Sequence, residues 1–390
     1  MGREALPGTS APGPADGGAA DGAGGTVGLG VALDEARPTP EVTQKPGSPP
    51  ASDPGPGPEP GSRPGLVAPS LAHGGAAERV WRPGWALDQP GLRAVLEVLR
   101  FGGGDPAFRT AADGAVWRVS RTPAGPGTLR IAFRPTDDTV HAHAWGPGGP
   151  WQLERLPGLL GADDDPSGFD PAAHPVLRDA HRRHAQLRIG RTGLVMESLV
   201  PAVLGQRVTV GEAHEAWRQL LRQHGGPAPL PAPASAPGPV PPGLRVAPAA
   251  RDWAMVPSWD WHRAGVDGKR AATVVRAARL AARLERATVL PAAEASALLG
   301  SVPGIGVWTV AETVQRCNGD ADAVTVGDLH LPNTVGWALA GRERTDDAGM
   351  LELLRPYAGH RHRVCRLIRL ISLRAPRHAP RYAPIDYRRM

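Results

Sequence analysis

The residues best placed to do chemistry fall in two segments, 298–314 (LLGSVPGIGVWTVAETV) and 325–341 (TVGDLHLPNTVGWALAG). In the first, Leu298 and Leu299 end one predicted helix, residues 300–306 make a tight connection, and a second helix starts at Val307. Gly304 and Gly306 can both adopt positive φ, and without a Cβ they let bare backbone N–H groups approach a ligand. The positive end of the second helix points to the same spot. A phosphate oxyanion suits that environment, and the contact would read no bases. An ordinary tight turn between packed helices would use the same glycines, so the pattern alone leaves both readings open.

Other clusters carry less. His141 and His143 share one face of a predicted strand, a spacing for two metal ligands, but no third ligand is identifiable and surface histidines are the simpler reading. His360 and His362 have no partner cluster and are read as phosphate-facing or exposed. Asp163, Asp164 and Asp165 lack the alternation and closing Glu of a calcium loop and read as a solvated turn. Arg276, Arg279, Arg283 and Arg286 recur at three- and four-residue intervals, as a solvated helix face or a DNA-facing stripe would.

The elements that must position these residues are legible from periodicity. Leu92, Val95, Leu96 and Leu99 have helical spacing. AVWRVSRT, GTLRIAFRP and TVHAHAWG follow; Leu129, Ile131 and Phe133 alternate with Arg130, Ala132 and Arg134 as in a half-buried strand. From about Pro175 the pattern turns helical, with Val203, Val210, Trp217, Leu220 and Leu221 on helical faces. PAPLPAPASAPGPVPPG then interrupts, with too many prolines for a helix interior, and reads as an extended, mobile loop. Helical patterning resumes at GKRAATVVRAARLAARLE.

Composition bounds the partners. The 390-residue chain has 44 Lys plus Arg against 38 Asp plus Glu, nearly all the positive charge being arginine, which favours anionic partners. With only Cys317 and Cys365, neither a four-thiolate iron–sulfur cluster nor an all-cysteine zinc site can form within one chain. No apolar run approaches the ~20 residues of a membrane span, and no signal-peptide pattern opens the sequence. A soluble intracellular protein is expected.

Val302-Pro303-Gly304-Ile305-Gly306, followed by Asp-Leu-His-Leu from Asp328, resembles the signature of the helix-hairpin-helix DNA glycosylase superfamily: a Leu-Pro-Gly-Ile/Val-Gly hairpin and then a catalytic Asp. VLGQRVTV is similar to the segment that reaches into the DNA, and GVDGKRAATVVRAARLA to the helix before the hairpin, so the likeness covers roughly 175–371. The bacterial type II 3-methyladenine glycosylases are the nearest group, since they too carry an N-terminal sheet domain; residues 79–161 match it in layout only.

The resemblance implies roles. Asp328 would be the catalytic carboxylate; Trp308 and Glu312 would line the base pocket; Gln206, Arg207, Lys269, Gly304, Ile305, Gly306 and Thr309 would contact DNA. Carbonyls of Gly300, Val302 and Ile305 would hold an alkali cation, Na+ or K+, and no other cofactor is expected. Strand-nicking members place a Schiff-base lysine where this chain has Trp308, so water becomes the nucleophile and an abasic site the product. Trp308 is then an aromatic face for an extruded, electron-poor base, or else a core tryptophan. Asp328 follows a predicted strand, AVTV, and precedes a helical pattern; it can cap that helix and also stabilise the positive sugar that develops as the C1′–N bond breaks, or position the water. Two departures stand out. Arg207 occupies the place of an apolar duplex wedge, and Glu312 that of an aromatic residue.

The expected architecture is α+β, a small N-terminal antiparallel sheet domain followed by an all-α helix-hairpin-helix glycosylase core. Its parts are a disordered tail (1–75), the sheet domain (76–165) and the core (166–390) with the proline-rich loop at about 226–243. The implied function is a monofunctional DNA glycosylase of base-excision repair that flips out and hydrolyses off alkylated purines such as 3-methyladenine. Its partner would be double-stranded DNA containing damaged bases, bound by a cytoplasmic monomer, nucleoid-associated if bacterial. The alternatives are a glycosylase for another lesion, such as a deaminated base, and a non-catalytic protein that binds distorted DNA. A pure binder has no need for Asp328.

Overall fold

The computed structural model describes residues 70–72 and 76–376, all within one compact unit. The expected disordered tail otherwise lies outside the described residues. Its predicted boundary is corrected at one place, because Ser70–Ala72 forms a strand.

Six strands build one antiparallel sheet: β1 (Ser70–Ala72), β2 (Ala76–Trp81), β3 (Phe108–Thr110), β4 (Val116–Thr122), β5 (Gly125–Arg134) and β6 (Thr139–Trp145). Their spatial order is β1-β2-β6-β5-β4-β3, which makes β4, β5 and β6 a meander as the alternation predicts. Leu129 and Ile131 of β5 pair with Ala144 and Ala142 of β6 and share a fully buried face. Against that face packs α1 (Gln89–Leu96), whose Leu92 and Leu96 are buried. Asp88 caps this helix by accepting from the Gly91 amide, and Leu99 lies in a tighter 3-10 turn just beyond it.

The other sheet face departs from the half-buried expectation, because Arg130 is as buried as its apolar neighbours. The proline-rich segment lies over it. Strands β7 (Gly226–Pro227) and β8 (Arg245–Val246) pair at its ends, and Val240 and Leu244 pack with Trp117 and Trp145. Those two rings stack at 5.2 Å between centroids, worth ~1 kcal/mol beyond their burial. Gly238 sits so close to Arg130 that a Cβ there would stand 2.9 Å from its guanidinium. The segment is extended, as its prolines dictate, but docked instead of free.

The helices follow. α2 (Val195–Leu204) is almost wholly buried, and α3 (Val210–His224) starts at a capping box in which Thr209 and Glu212 satisfy each other's amides. Trp217, Leu220 and Leu221 enter the main core as predicted, whereas Val210 is 69% exposed. Trp217, Trp253 and Trp261 stack in series there. Next come α4 (Gly268–Arg279), α5 (Ala292–Gly300), α6 (Val307–Cys317), α7 (Leu331–Ala340) and α8 (Arg361–Leu370). Among the described residues, no helix is long and apolar enough to cross a membrane.

Two surface readings are corrected. Asp164 is buried and bidentate to Arg363 of α8, at 2.6 and 3.0 Å, and also accepts the Ile189 amide. It ties the sheet layer to the last helix and is not part of a solvated turn. His362 is likewise buried, so it neither faces solvent nor touches phosphate. Burial among Arg316, Arg363, Arg366 and Arg369 holds its pKa well below the ordinary histidine value.

Candidate active site

α5 and α6 form a helix-hairpin-helix through residues 301–306. Val302 and Ile305 anchor the turn in the main core. Gly304 has φ +95°, and a Cβ there would lie 2.2 Å from Thr273 Oγ1, so glycine is required twice over. Gly306 corrects the expectation of positive φ: it sits at φ −92°, ψ −179°, a conformation open to any residue. Nothing lies within 4 Å of a Cβ built on it. What Gly306 supplies is open space at the start of α6, a helix with no side-chain cap on its first amides.

The hairpin is braced from behind. Gln206 Nε2 donates to the Gly304 carbonyl at 2.9 Å and to Thr309 Oγ1 at 2.7 Å, and Arg276 Nε to the Pro303 carbonyl at 3.1 Å. Thr309 is therefore turned inward and only 2% exposed, which removes its side chain from the expected DNA contacts. Gln206 positions the hairpin, while Arg207 beside it is exposed at φ +54°, a strained value for a residue with a side chain. Lys269 is exposed at the start of α4. The arginine stripe does not run along one helix, because α4 ends at Arg279; Arg279, Arg283 and Arg286 are exposed, while Arg276 is spent on the hairpin.

Asp328 lies directly beside this unit. Residues 323–326 form no strand, correcting that expectation; the Val326 amide donates back to the Val324 carbonyl at 3.0 Å, and Gly327 turns the chain at φ +83°. Asp328 Oδ1 accepts the His330 and Leu331 amides, both at 2.8 Å, at the entry to α7. Its Oδ2 accepts Trp308 Nε1 at 3.3 Å. The N-cap position itself is His330, which makes no side-chain cap, so Asp328 closes the entry from two residues before it, its carboxylate oriented by three N–H donors.

Trp308 and Asp328 line a cavity of about 340 Å³ between α2 and α6. Trp308, Glu312 and Arg316 project from one face of α6, and Glu197, Pro201 and the following Gly205 from α2. A Cβ on Gly205 would sit 3.5 Å from the Trp308 ring. Glu312 lines the cavity wall with both oxygens engaged: one by Arg316 at 2.9 Å, the other by Thr325 Oγ1 at 2.9 Å. Asp105, Arg118 and Glu197 are among the lining residues that were not anticipated. Asp105 accepts Trp217 Nε1 and the Phe101 and Ala107 amides, and burial pushes its pKa up against those bonds. Arg118 of β4 and Glu197 form an ion pair across the sheet–helix boundary. The one cue in sequence was a lone carboxylate in the apolar run VMESLVPAVL. His141 bonds Thr139 and His143 approaches Glu78; no group of three or more His, Cys, Asp or Glu able to hold a metal occurs among the described residues.

The fold, a sheet layer followed by helices with the hairpin between α5 and α6, is similar to that of solved DNA glycosylases. A 3-methyladenine DNA glycosylase from Archaeoglobus fulgidus superposes with a TM-score of 0.60 at 15% identity, covering 74% of this chain and 97% of that one. The 8-oxoguanine glycosylase/lyase of Clostridium acetobutylicum, in complex with double-stranded DNA containing cytosine opposite 8-oxoguanine, gives 0.57 at 10% identity, covering 78% and 98%. No protein-family model matches the sequence, and no curated protein matches it.

Proposed function

We propose that this protein is a monofunctional DNA glycosylase of base-excision repair that removes alkylated purines, 3-methyladenine among them, from double-stranded DNA. The observation that carries the reading is the Trp308–Asp328 contact at a cavity beside the hairpin. In this reading residues 166–390 are the glycosylase core and 76–165 a sheet domain that contributes Arg118 to the cavity wall. It acts as a cytoplasmic monomer, on the nucleoid if bacterial.

The free amides at Gly306 and the start of α6 hold a backbone phosphate without reading sequence. Exposed Arg207 enters the stack vacated by the extruded nucleotide, where a guanidinium can hydrogen-bond to the orphaned base. The damaged base enters the cavity against Trp308, recovering part of the few kcal/mol that extrusion costs. A purine nucleotide alkylated at N3 or N7 is already cationic and its base leaves without a strong general acid. As the C1′–N bond breaks, the Asp328 carboxylate stabilises the positive sugar and orients the water that adds to C1′. The Gly300 and Ile305 carbonyls accept no backbone hydrogen bond among the described residues. With Val302 they would hold a sodium or potassium ion, which would add positive charge near the phosphate.

Lysine occurs only at Lys45 and Lys269, and Lys269 is absent from the cavity wall. An abasic product that breaks only in alkali is therefore expected. Liquid chromatography of bases released from methylated duplex DNA, with borohydride trapping in parallel, tests this: free 3-methyladenine and no covalent adduct are expected. A trapped Schiff base would contradict the chemistry.

A further inference from the structure

Resting on the glycosylase reading, we infer that Glu197, held by Arg118, reads the far edge of the extruded base and restricts the substrate to purines presenting an N–H donor there. Glu197 and Arg118 both line the cavity that Trp308 and Asp328 open. One Glu197 oxygen accepts from the Arg118 guanidinium, whereas the other, Oε2, is buried with no hydrogen-bond partner. An unsatisfied buried acceptor costs ~1–3 kcal/mol, and a base N–H would remove that cost. Oε2 is shut from water as packed, but the last torsion of a glutamate is broad, so turning the oxygen into the cavity is cheap. Glu312 cannot play this part, because Thr325 and Arg316 occupy both of its oxygens.

Gly205 packs under Trp308, and Glu197 lies eight residues earlier on the same helix face, about 12 Å along α2 at 1.5 Å per residue, so the two residues bound the cavity at different depths. The carboxylate of Asp328 would thus serve the sugar and that of Glu197 the opposite edge. Arg118, only 5% exposed in its side chain, holds the Glu197 acceptor in place.

The test is single-turnover excision, by wild-type protein and Glu197→Gln, from duplexes holding 3-methyladenine, 7-methylguanine, hypoxanthine or 1,N6-ethenoadenine. The first three present N–H groups at the far edge and the last has none. Loss of a charge-assisted bond should slow the N–H-bearing bases ~10- to 100-fold, while ethenoadenine, which offers Glu197 no donor, should be released no more slowly than by wild type. The pair Arg118→Met with Glu197→Met, which replaces a buried ion pair by apolar side chains of similar size, should show the same selective loss if the glutamine variant folds poorly. Equal slowing of all four bases, or of none, overturns the inference while wild-type release keeps the glycosylase reading standing. Wild-type protein that releases no base removes both.

Discussion

Asp328 combines two demands that are separate in most proteins: its Oδ1 closes the start of α7 through two amides, and its Oδ2 reaches Trp308 across the cavity mouth. The hairpin motif and the Asp downstream of it were legible as a local pattern, whereas the Trp308 bond to Asp328 was not. The glycines were legible only by type, because two glycines spaced by one residue look alike in sequence while their backbones differ. Gly304→Ala should cost ~2 kcal/mol or more, since it meets both positive φ and Thr273. Gly306→Val should leave the urea-unfolding midpoint nearly unchanged, having no φ barrier and no neighbour, yet weaken binding to lesion and undamaged duplex alike by obstructing the phosphate. Urea melts paired with anisotropy titrations at matched salt check both. Wild-type DNA affinity in folded Gly306→Val would remove the phosphate role.

At the scale of elements, what the sequence could not disclose is pairing over distance. Arg118 and Glu197 stand 79 residues apart, and Asp164 and Arg363 stand 199 apart. Periodicity assigns each to a strand, a helix or a turn but does not say which charges meet, so Asp164 looked solvated. The proline-rich segment misled for a related reason: its partner is the Trp117–Trp145 face, invisible until the sheet is closed. The last helix carries a pH consequence. His362 is neutral in the folded protein, with burial first and four arginines next depressing its pKa, while the unfolded chain takes up a proton near pH 6.5. Below that pH the unfolded state binds more protons, so stability present at pH 7.5 is lost as the pH falls. His141, His143, His181 and His214 shift the same way. His362→Leu should reduce the stability lost between pH 7.5 and 5.5 by about 1 kcal/mol in urea titrations. An unchanged acid slope would show that His362 is protonated in the fold.

The whole molecule brings three sequence-distant parts to one cavity: β4 with Arg118, α2 with Glu197 and Gly205, and the hairpin unit with Trp308, Glu312 and Asp328. Neither sheet nor helices alone would enclose it, which is why the fold class was readable from patterns while the cavity's polar far wall was not. A further set of cations, exposed Arg207, Lys269, Arg279, Arg283 and Arg286, lies off the cavity wall, where phosphates rather than bases would meet it. The central claim is that this assembly hydrolyses a glycosidic bond and that Asp328 is the group that stabilises the sugar. Single-turnover release of 3-methyladenine from methylated duplex by Asp328→Asn, set against wild type, tests it most directly. Asparagine keeps an oxygen for the α7 amides and removes the charge. The account predicts a fall of ~100- to 1,000-fold or more in release with lesion-DNA affinity within a few-fold of wild type, and release by the variant at nearly the wild-type rate would contradict it.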